Sequence, residues 1–383
     1  MAATRKPLTE QVLVITGASS GIGLATALLA ARRGARVVLA ARDEEGLRRA
    51  AAQIRAEGGV CATVAADVAE PDDVQAIADA ALSEFDGFDT WVNNAGVSIF
   101  GRVTEVPLDD AHRLFDTNYW GMVHGCLTAV PYLRRSGGTI INVGSAVSDR
   151  AIPLQGHYSA SKHAIKGFTD ALRMELEEEG APIAVTLVKP ASIDTPFPDH
   201  ARNYMEVEPT LPPPVYDTEI VAEAIVACAE RPRREVVVGG GGRMISAMVT
   251  VAPRLADRYM ETAIFQQQRT DRPARHGRGD NLWDGLSQGE TRGRYEGHVM
   301  RSSAYTGASL HPGLTALAVV GAGVGLAFAL GAGRTRGAAS AGGASPCTGS
   351  AGPRGRGRGR RGRGRWPGGA SGPGRGPFPP PPR

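Results

Sequence analysis

A doubly wound α/β fold, with a parallel sheet and helices on both faces, is predicted for residues 1–242 by three features. Short apolar, β-branched runs alternate with helical patterns from residue 12 to about 240, the pattern of buried parallel strands. The spacing leaves room for a crossover helix after each strand, which makes the crossovers right-handed. The first strand runs straight into a glycine-rich turn that opens a helix. The 383 residues exceed this fold, so a C-terminal extension is expected as well.

Strands are expected at 12–16, 36–40, 60–65, 90–92, 139–143, 183–188 and 235–238. Helices are expected at 24–33, 44–57, 71–85, 109–136, 159–179 and 218–230. After the glycines at 239–242 the alternation stops. Residues 243–311 read as a helical and irregular extension: one or two amphipathic helices at 243–266, broken near Pro253, then a polar, irregular 267–310. Met244, Met248 and Tyr259, at near-helical spacing, read as core or dimer contacts. The 22 residues 312–333 carry no charge. They are long enough to reach across a bilayer or lie in its interface, but their Gly/Ala content also fits a merely low-complexity segment.

Charge is unevenly spread. Of 43 Lys plus Arg, 11 arginines lie in 334–383, a Gly/Arg/Pro-rich tail without lysine or acid that is expected to be disordered. The remaining 32 basic residues face 39 acidic ones, so residues 1–333 carry about −7. That distribution disfavours a uniformly basic nucleic-acid-binding enzyme. The tail resembles arginine–glycine segments that bind RNA, with incidental low complexity the favoured alternative. Four scattered cysteines (Cys61, Cys126, Cys228, Cys347) form no C-x-x-C pair. Neither a disulfide framework nor a metal site is expected, and a reducing compartment is. The five-residue apolar run near the N-terminus is too short for a secretory signal, so a cytoplasmic location, with membrane association through the extension, is expected.

The glycine turn reads Thr16-Gly17-Ala18-Ser19-Ser20-Gly21-Ile22-Gly23. Its glycines bring backbone N–H groups and a helix N-terminus close to an anionic pyrophosphate, in the strand–turn–helix context a dinucleotide site requires. At the tip of the second strand stands Ala41, followed by Arg42 and Asp43. An acid at the tip would bind the ribose hydroxyls and repel a 2′-phosphate, whereas a guanidinium clamps one, so NADP(H) is favoured over NAD(H). The alternative is a solvated Arg42 with Asp43 facing the ribose. Asp67 follows the third strand, placed either to accept from the adenine amino group or to cap a helix.

Three further pieces follow in order. Asn93-Asn94-Ala95-Gly96 ends the fourth strand, Ser145 the fifth, and Tyr158-Ser159-Ala160-Ser161-Lys162 opens a helix. Tyr158 and Lys162, four apart, share one helix face, so the ammonium can act on the phenol. On these four motifs residues 12–240 resemble the short-chain dehydrogenase/reductase family, about three-fifths of the chain. The resemblance implies a Rossmann-like domain. It implies Tyr158 as the acid/base, Ser145 as the holder of the reacting oxygen, and Lys162 on the nicotinamide ribose. Asn118 would fix a proton-relaying water; a buried Asn capping a helix kink is its alternative. The implied cofactor-binding set is Gly17, Ser19, Ser20, Gly21, Ile22, Gly23, Arg42, Asp67, Val68, Asn94, Ala95, Gly96, Tyr158, Lys162, Ile193 and Thr195.

A free phenol titrates near 10, so Tyr158 needs a neighbouring positive charge to act as a base. Where the family commonly has Pro-Gly, this chain has Pro190-Ala191, one extra methyl beside the nicotinamide. His157 reads as a cleft wall or helix-start residue, and 197–216 as the substrate loop. The expected activity is NADP-dependent interconversion of a small-molecule carbonyl compound and a secondary alcohol, by a homo-oligomer with a peripheral membrane contact. A silent nucleotide-binding module is the rival, disfavoured because Ser145, Tyr158 and Lys162 are all present.

Overall fold

The computed structural model describes residues 5–241, 252–275, 277–286, 289–310 and 315. They lie in one compact unit spanning 1–322. The expected strands form at β1 Val12–Thr16, β2 Arg36–Ala41, β3 Val60–Ala65, β4 Thr90–Asn93, β5 Gly138–Val143, β6 Ile183–Pro190 and β7 Glu235–Val238. They make one seven-stranded parallel sheet in the order β7-β6-β5-β4-β1-β2-β3. Chain order reverses between β1 and β4, which opens a crevice beyond their carboxyl ends.

Alternation along the strands divides the core into two layers. Leu13 and Ile15 of β1 pack with α1 (Gly21–Arg32), α2 (Glu44–Ala56) and α7 (Thr218–Glu230) on one face. Val12 and Val14 pack on the other with α3 (Pro71–Phe85), α5 (Gly121–Ser136) and α6 (Gly156–Glu178). Trp91 is fully buried in the second layer and donates to Asn93 Oδ1 at 2.8 Å. Asn93 donates to Asn142 Oδ1 (2.9 Å), and Asn142 to Thr169 Oγ1 (2.9 Å). This buried chain ties β4 to β5 and α6, and its satisfied amides fix register where apolar contacts alone would tolerate slip.

Two expectations are corrected. The single helix expected at 109–136 is α4 (Leu108–Phe115) and α5 joined by a π-helical turn, Asp116–Trp120. The residues it buries, Thr117 and Asn118, are polar, so the apolar pattern of the sequence did not show the widened backbone. The polar stretch after 267 is only partly irregular. Arg269–Pro273 pairs antiparallel with Val207–Pro209, and Val299–Met300 pairs parallel with Val215–Tyr216. Helices Pro253–Tyr259 and Ala304–Leu310 flank these strands. Backbone pairing, blind to side-chain polarity, docks this extension on the core. Tyr259 is exposed, while Met244, Met248, the tail 334–383 and all of 312–333 except Thr315 lie outside the described residues. No helix among the described residues is long and apolar enough to cross a membrane.

Candidate active site

The glycine turn follows β1 because two of its residues need left-handed backbone: Gly17 has φ +65° and Gly21 φ +54°. Gly23 serves closeness instead, since a Cβ there would lie 2.1 Å from Gly17 O. The turn is bound to the end of β4 by Asn94, whose Nδ2 donates to Thr16 O (2.9 Å) and Gly17 O (3.2 Å). Thr16 Oγ1 accepts from the N–H groups of both Asn94 (3.0 Å) and Ala95 (3.1 Å). That hydroxyl was not singled out from sequence; its place immediately before the first glycine was the available signal.

These pieces line one cleft of about 300 Å³. At its adenosine end stand Arg42, Asp67 and Val68; along its middle Gly17, Ser19, Ser20, Gly21, Ile22, Asn94, Ala95 and Gly96; at its far end Ser145, Tyr158, Lys162, Ile193 and Thr195. Gly23 and Asn118 are the two expected residues behind the wall. Arg42 is not a solvated charge: its side chain is 19% exposed, and burial lowers its affinity for the proton. The Asp43 carboxylate lies over Gly46 at the start of α2, where a Cβ would meet Oδ2 at 2.2 Å. Asp67 accepts from Ala69 N (3.0 Å) and pairs closely with Arg113, a partner that sequence reasoning missed because α4 is distant in the chain.

At the far end, α6 presents Tyr158 and Lys162 on one face, with the ammonium 5.7 Å from the ring centroid. Burial pushes the phenol up to about 12, opposed by a hydrogen bond from Ser145. Burial also drives the lysine down to about 8, and Lys162 Nζ donates to Val143 O at 3.0 Å. Ser145 begins a short helical turn, its Oγ accepting from Val147 N (3.3 Å), which fixes the hydroxyl beside the phenol. Asn118 sits in the π turn, donating to Val97 O (3.0 Å) and Ser161 Oγ (3.1 Å) and accepting from Val97 N (2.8 Å).

Gly96 lies between these groups. A Cβ there would be 3.3 Å from Asn118 Oδ1 and 3.7 Å from Lys162 Nζ, so its absence keeps a cradle open in front of the ammonium. With one donor on Val143 O, Lys162 retains two for ribose hydroxyls. The donor set fits a nicotinamide dinucleotide.

A family profile described as short chain dehydrogenase matches residues 11–205. This chain belongs to the short-chain dehydrogenase/reductase family. It is an oxidoreductase of CH–OH and C=O groups that uses a nicotinamide cofactor. The uncharacterized oxidoreductase YxnA of Bacillus subtilis (strain 168) is 43% identical over 319 residues, covering 82% of this chain and 90% of its own. The 11-beta-hydroxysteroid dehydrogenase A of Sesamum indicum is 40% identical over 187 residues, 48% of this chain and 53% of that protein. Among solved structures, a short chain dehydrogenase/reductase from Burkholderia phymatum in complex with NAD is 28% identical, with TM-score 0.56, covering 69% of this chain and 98% of that one. A metagenomic short-chain oxidoreductase in complex with NADP is 29% identical, with TM-score 0.52, covering 61% and 98%.

Beyond Tyr158 the cleft is walled by Val97, Phe100, Ile152, Phe197, Leu211 and Ile264, the last from the extension. Phe197 lies 5.6 Å from the Tyr158 ring. His200, also missed from sequence, is buried against this wall, and burial holds its imidazole below the usual range. His157 does not line the cleft; its Nε2 is 3.5 Å from Val103 O.

Proposed function

We propose that this short-chain dehydrogenase/reductase is NADP(H)-dependent and interconverts a secondary alcohol with a ketone or aldehyde carried on a largely apolar frame. The meeting of Ser145, Tyr158 and Lys162 at one end of the cleft, with half-buried Arg42 at the other, carries the reading. A nicotinamide dinucleotide held by the glycine turn, Arg42 and Lys162 would supply or take up the hydride when bound. Tyr158 takes a proton from the alcohol, or gives one to the carbonyl oxygen. Ser145 holds that oxygen by hydrogen bonding, at the place where charge develops. The Lys162 ammonium binds the ribose hydroxyls and favours the phenolate that burial alone opposes. Asn118, braced by Val97 and Ser161, holds a water from which Lys162 is reprotonated.

Arg42 supplies a planar cation for the 2′-phosphate, and Ala41 offers that phosphate no repulsion. The apolar wall supports an apolar substrate frame, because desolvating polar substituents there would be costly. The proposal includes a homo-oligomer in the cytoplasm and a peripheral membrane contact through 312–333, whose 22 uncharged residues are its support. NADPH and NADH titrations of the parent and Arg42→Asp test the cofactor choice. The parent is expected to prefer NADPH and the variant NADH; equal parent affinities would overturn the role of Arg42.

A further inference from the structure

Residues 281–286 and 289–293 lie outside the matched family region, yet they meet the cofactor cleft near both of its ends. At the adenosine end the Arg42 guanidinium is held by three consecutive backbone carbonyls: Nη1 donates to Leu282 O (3.2 Å) and Trp283 O (2.9 Å), and Nη2 to Asn281 O. Gly285 rests on the Arg42–Asp43 peptide, where a Cβ would lie 2.9 Å from Asp43 N and 3.0 Å from Arg42 C. At the pyrophosphate turn, Gly21 N donates to Glu290 O at 2.9 Å. At the nicotinamide end Gly293 crosses Thr195, with a Cβ only 2.3 Å from Thr195 O.

Both ends of this stretch are anchored. Leu282 is fully buried against Val97, Ile99 and Leu114. Arg113 Nε donates to Leu282 O (3.1 Å), and Trp283 Nε1 donates to Asp110 Oδ1 (2.8 Å). At the other end Thr218 Oγ1 donates to Thr291 O (3.0 Å), and Arg292 pairs with Asp217 at 2.7 Å. Asn281, Gly285 and Leu286 line the same cleft as Gly21 and Lys162, so these residues form part of its wall. The match to the Bacillus subtilis relative covers 82% of the chain, and a continuous match of that extent includes these residues wherever it begins.

We propose that residues 281–286 and 289–293 form a strap belonging to the cofactor site: the carbonyls of 281–283 position Arg42 for the 2′-phosphate, and the dinucleotide leaves only when these residues lift. A guanidinium has five N–H donors. Three carbonyls engage three of them, and the Asp67 carboxylate stands 3.8 Å from Nη1, leaving the Nε and one Nη2 hydrogen for a phosphate. A long, rotamer-rich side chain held in this way loses less entropy on binding its ligand. The inference rests on the NADP(H) reading above.

The test uses the full chain, with Gly285→Val, which cannot seat on the Arg42–Asp43 peptide, and Leu282→Ser, which loosens the anchor. Dissociation of NADPH and NADH is followed by stopped-flow displacement, and exchange of the strap amides by hydrogen–deuterium exchange with and without NADPH. NADPH is expected to leave each variant about tenfold faster than the parent, and NADH to be accelerated less, since only the 2′-phosphate uses Arg42. In the parent, NADPH should slow amide exchange across 281–293. Parent-like dissociation in both variants, or tighter NADPH binding because the carbonyls compete with the phosphate, would overturn the strap alone. A parent chain that binds neither nucleotide would overturn the strap and the cofactor reading together.

Discussion

Burial disfavours the charged forms of both Tyr158 and Lys162: it raises the phenol to about 12 and lowers the lysine to about 8. Tyr158→Phe removes the transferable proton and little else. It should lower kcat by at least about a thousandfold while NADPH affinity, read by fluorescence titration, stays within about twofold. Carbonyl reduction needs the protonated phenol, so its rate should fall on the alkaline side. In Lys162→Ala that fall should move to higher pH, because the cation favouring phenolate is gone; an unmoved limb in the residual activity would sink the coupling.

The same lysine weakens the fold. Its folded pKa lies below the unfolded value of 10.5, so the unfolded chain binds more protons between about 8 and 10.5, and stability rises with pH across that window. Below pH 8 the full penalty applies, roughly 3 kcal/mol. Lys162→Met should therefore be inactive yet harder to unfold at pH 7. The gain should be on the order of 2 kcal/mol by urea denaturation, once the donor lost to Val143 O is subtracted.

At the scale of elements, the π turn Asp116–Trp120 decides where an amide can reach. Asn118 satisfies both backbone groups of Val97 and also Ser161, bracing the segment just after the Gly96 cradle. Asn118→Ala strands those buried groups and should cost about 2–4 kcal/mol in thermal or urea unfolding, with turnover falling as well. A stability loss below about 0.5 kcal/mol would show that water takes over the bonds. The strands and helices of the sheet were legible in the sequence because each buries a periodic apolar face. The π turn was not, because the residues it buries, Thr117 and Asn118, are polar. Strand Arg269–Pro273 was not legible either: its side chains are polar and only the backbone pairs.

For the molecule as a whole, the extension divides by charge and by contact. Residues 252–310 contribute Ile264, Leu282 and Leu286 to the cleft or its walls, whereas the net basic charge resides in 334–383. Deletion of 312–333 alone, with the arginine-rich tail kept, should leave the unfolding midpoint and NADPH affinity unchanged within error and abolish sedimentation with neutral lipid vesicles. Equal sedimentation of the deleted and full chains would end the proposed role of 312–333. Truncation at Gly242 should also weaken NADPH binding, because it removes the carbonyls that hold Arg42.

The sequence by itself determined the strands and helices of the sheet and the order of its motifs. Periodic burial dictates strands and helices, and Tyr158 and Lys162 are neighbours by helix geometry alone. Only the tertiary structure decided what surrounds Arg42, Asp67 and the apolar end of the cleft. Arg113, His200, Ile264 and Leu282 come from distant segments whose local patterns carry no trace of the site. Their placement follows from long-range packing and from backbone carbonyls, which every residue possesses and no motif records.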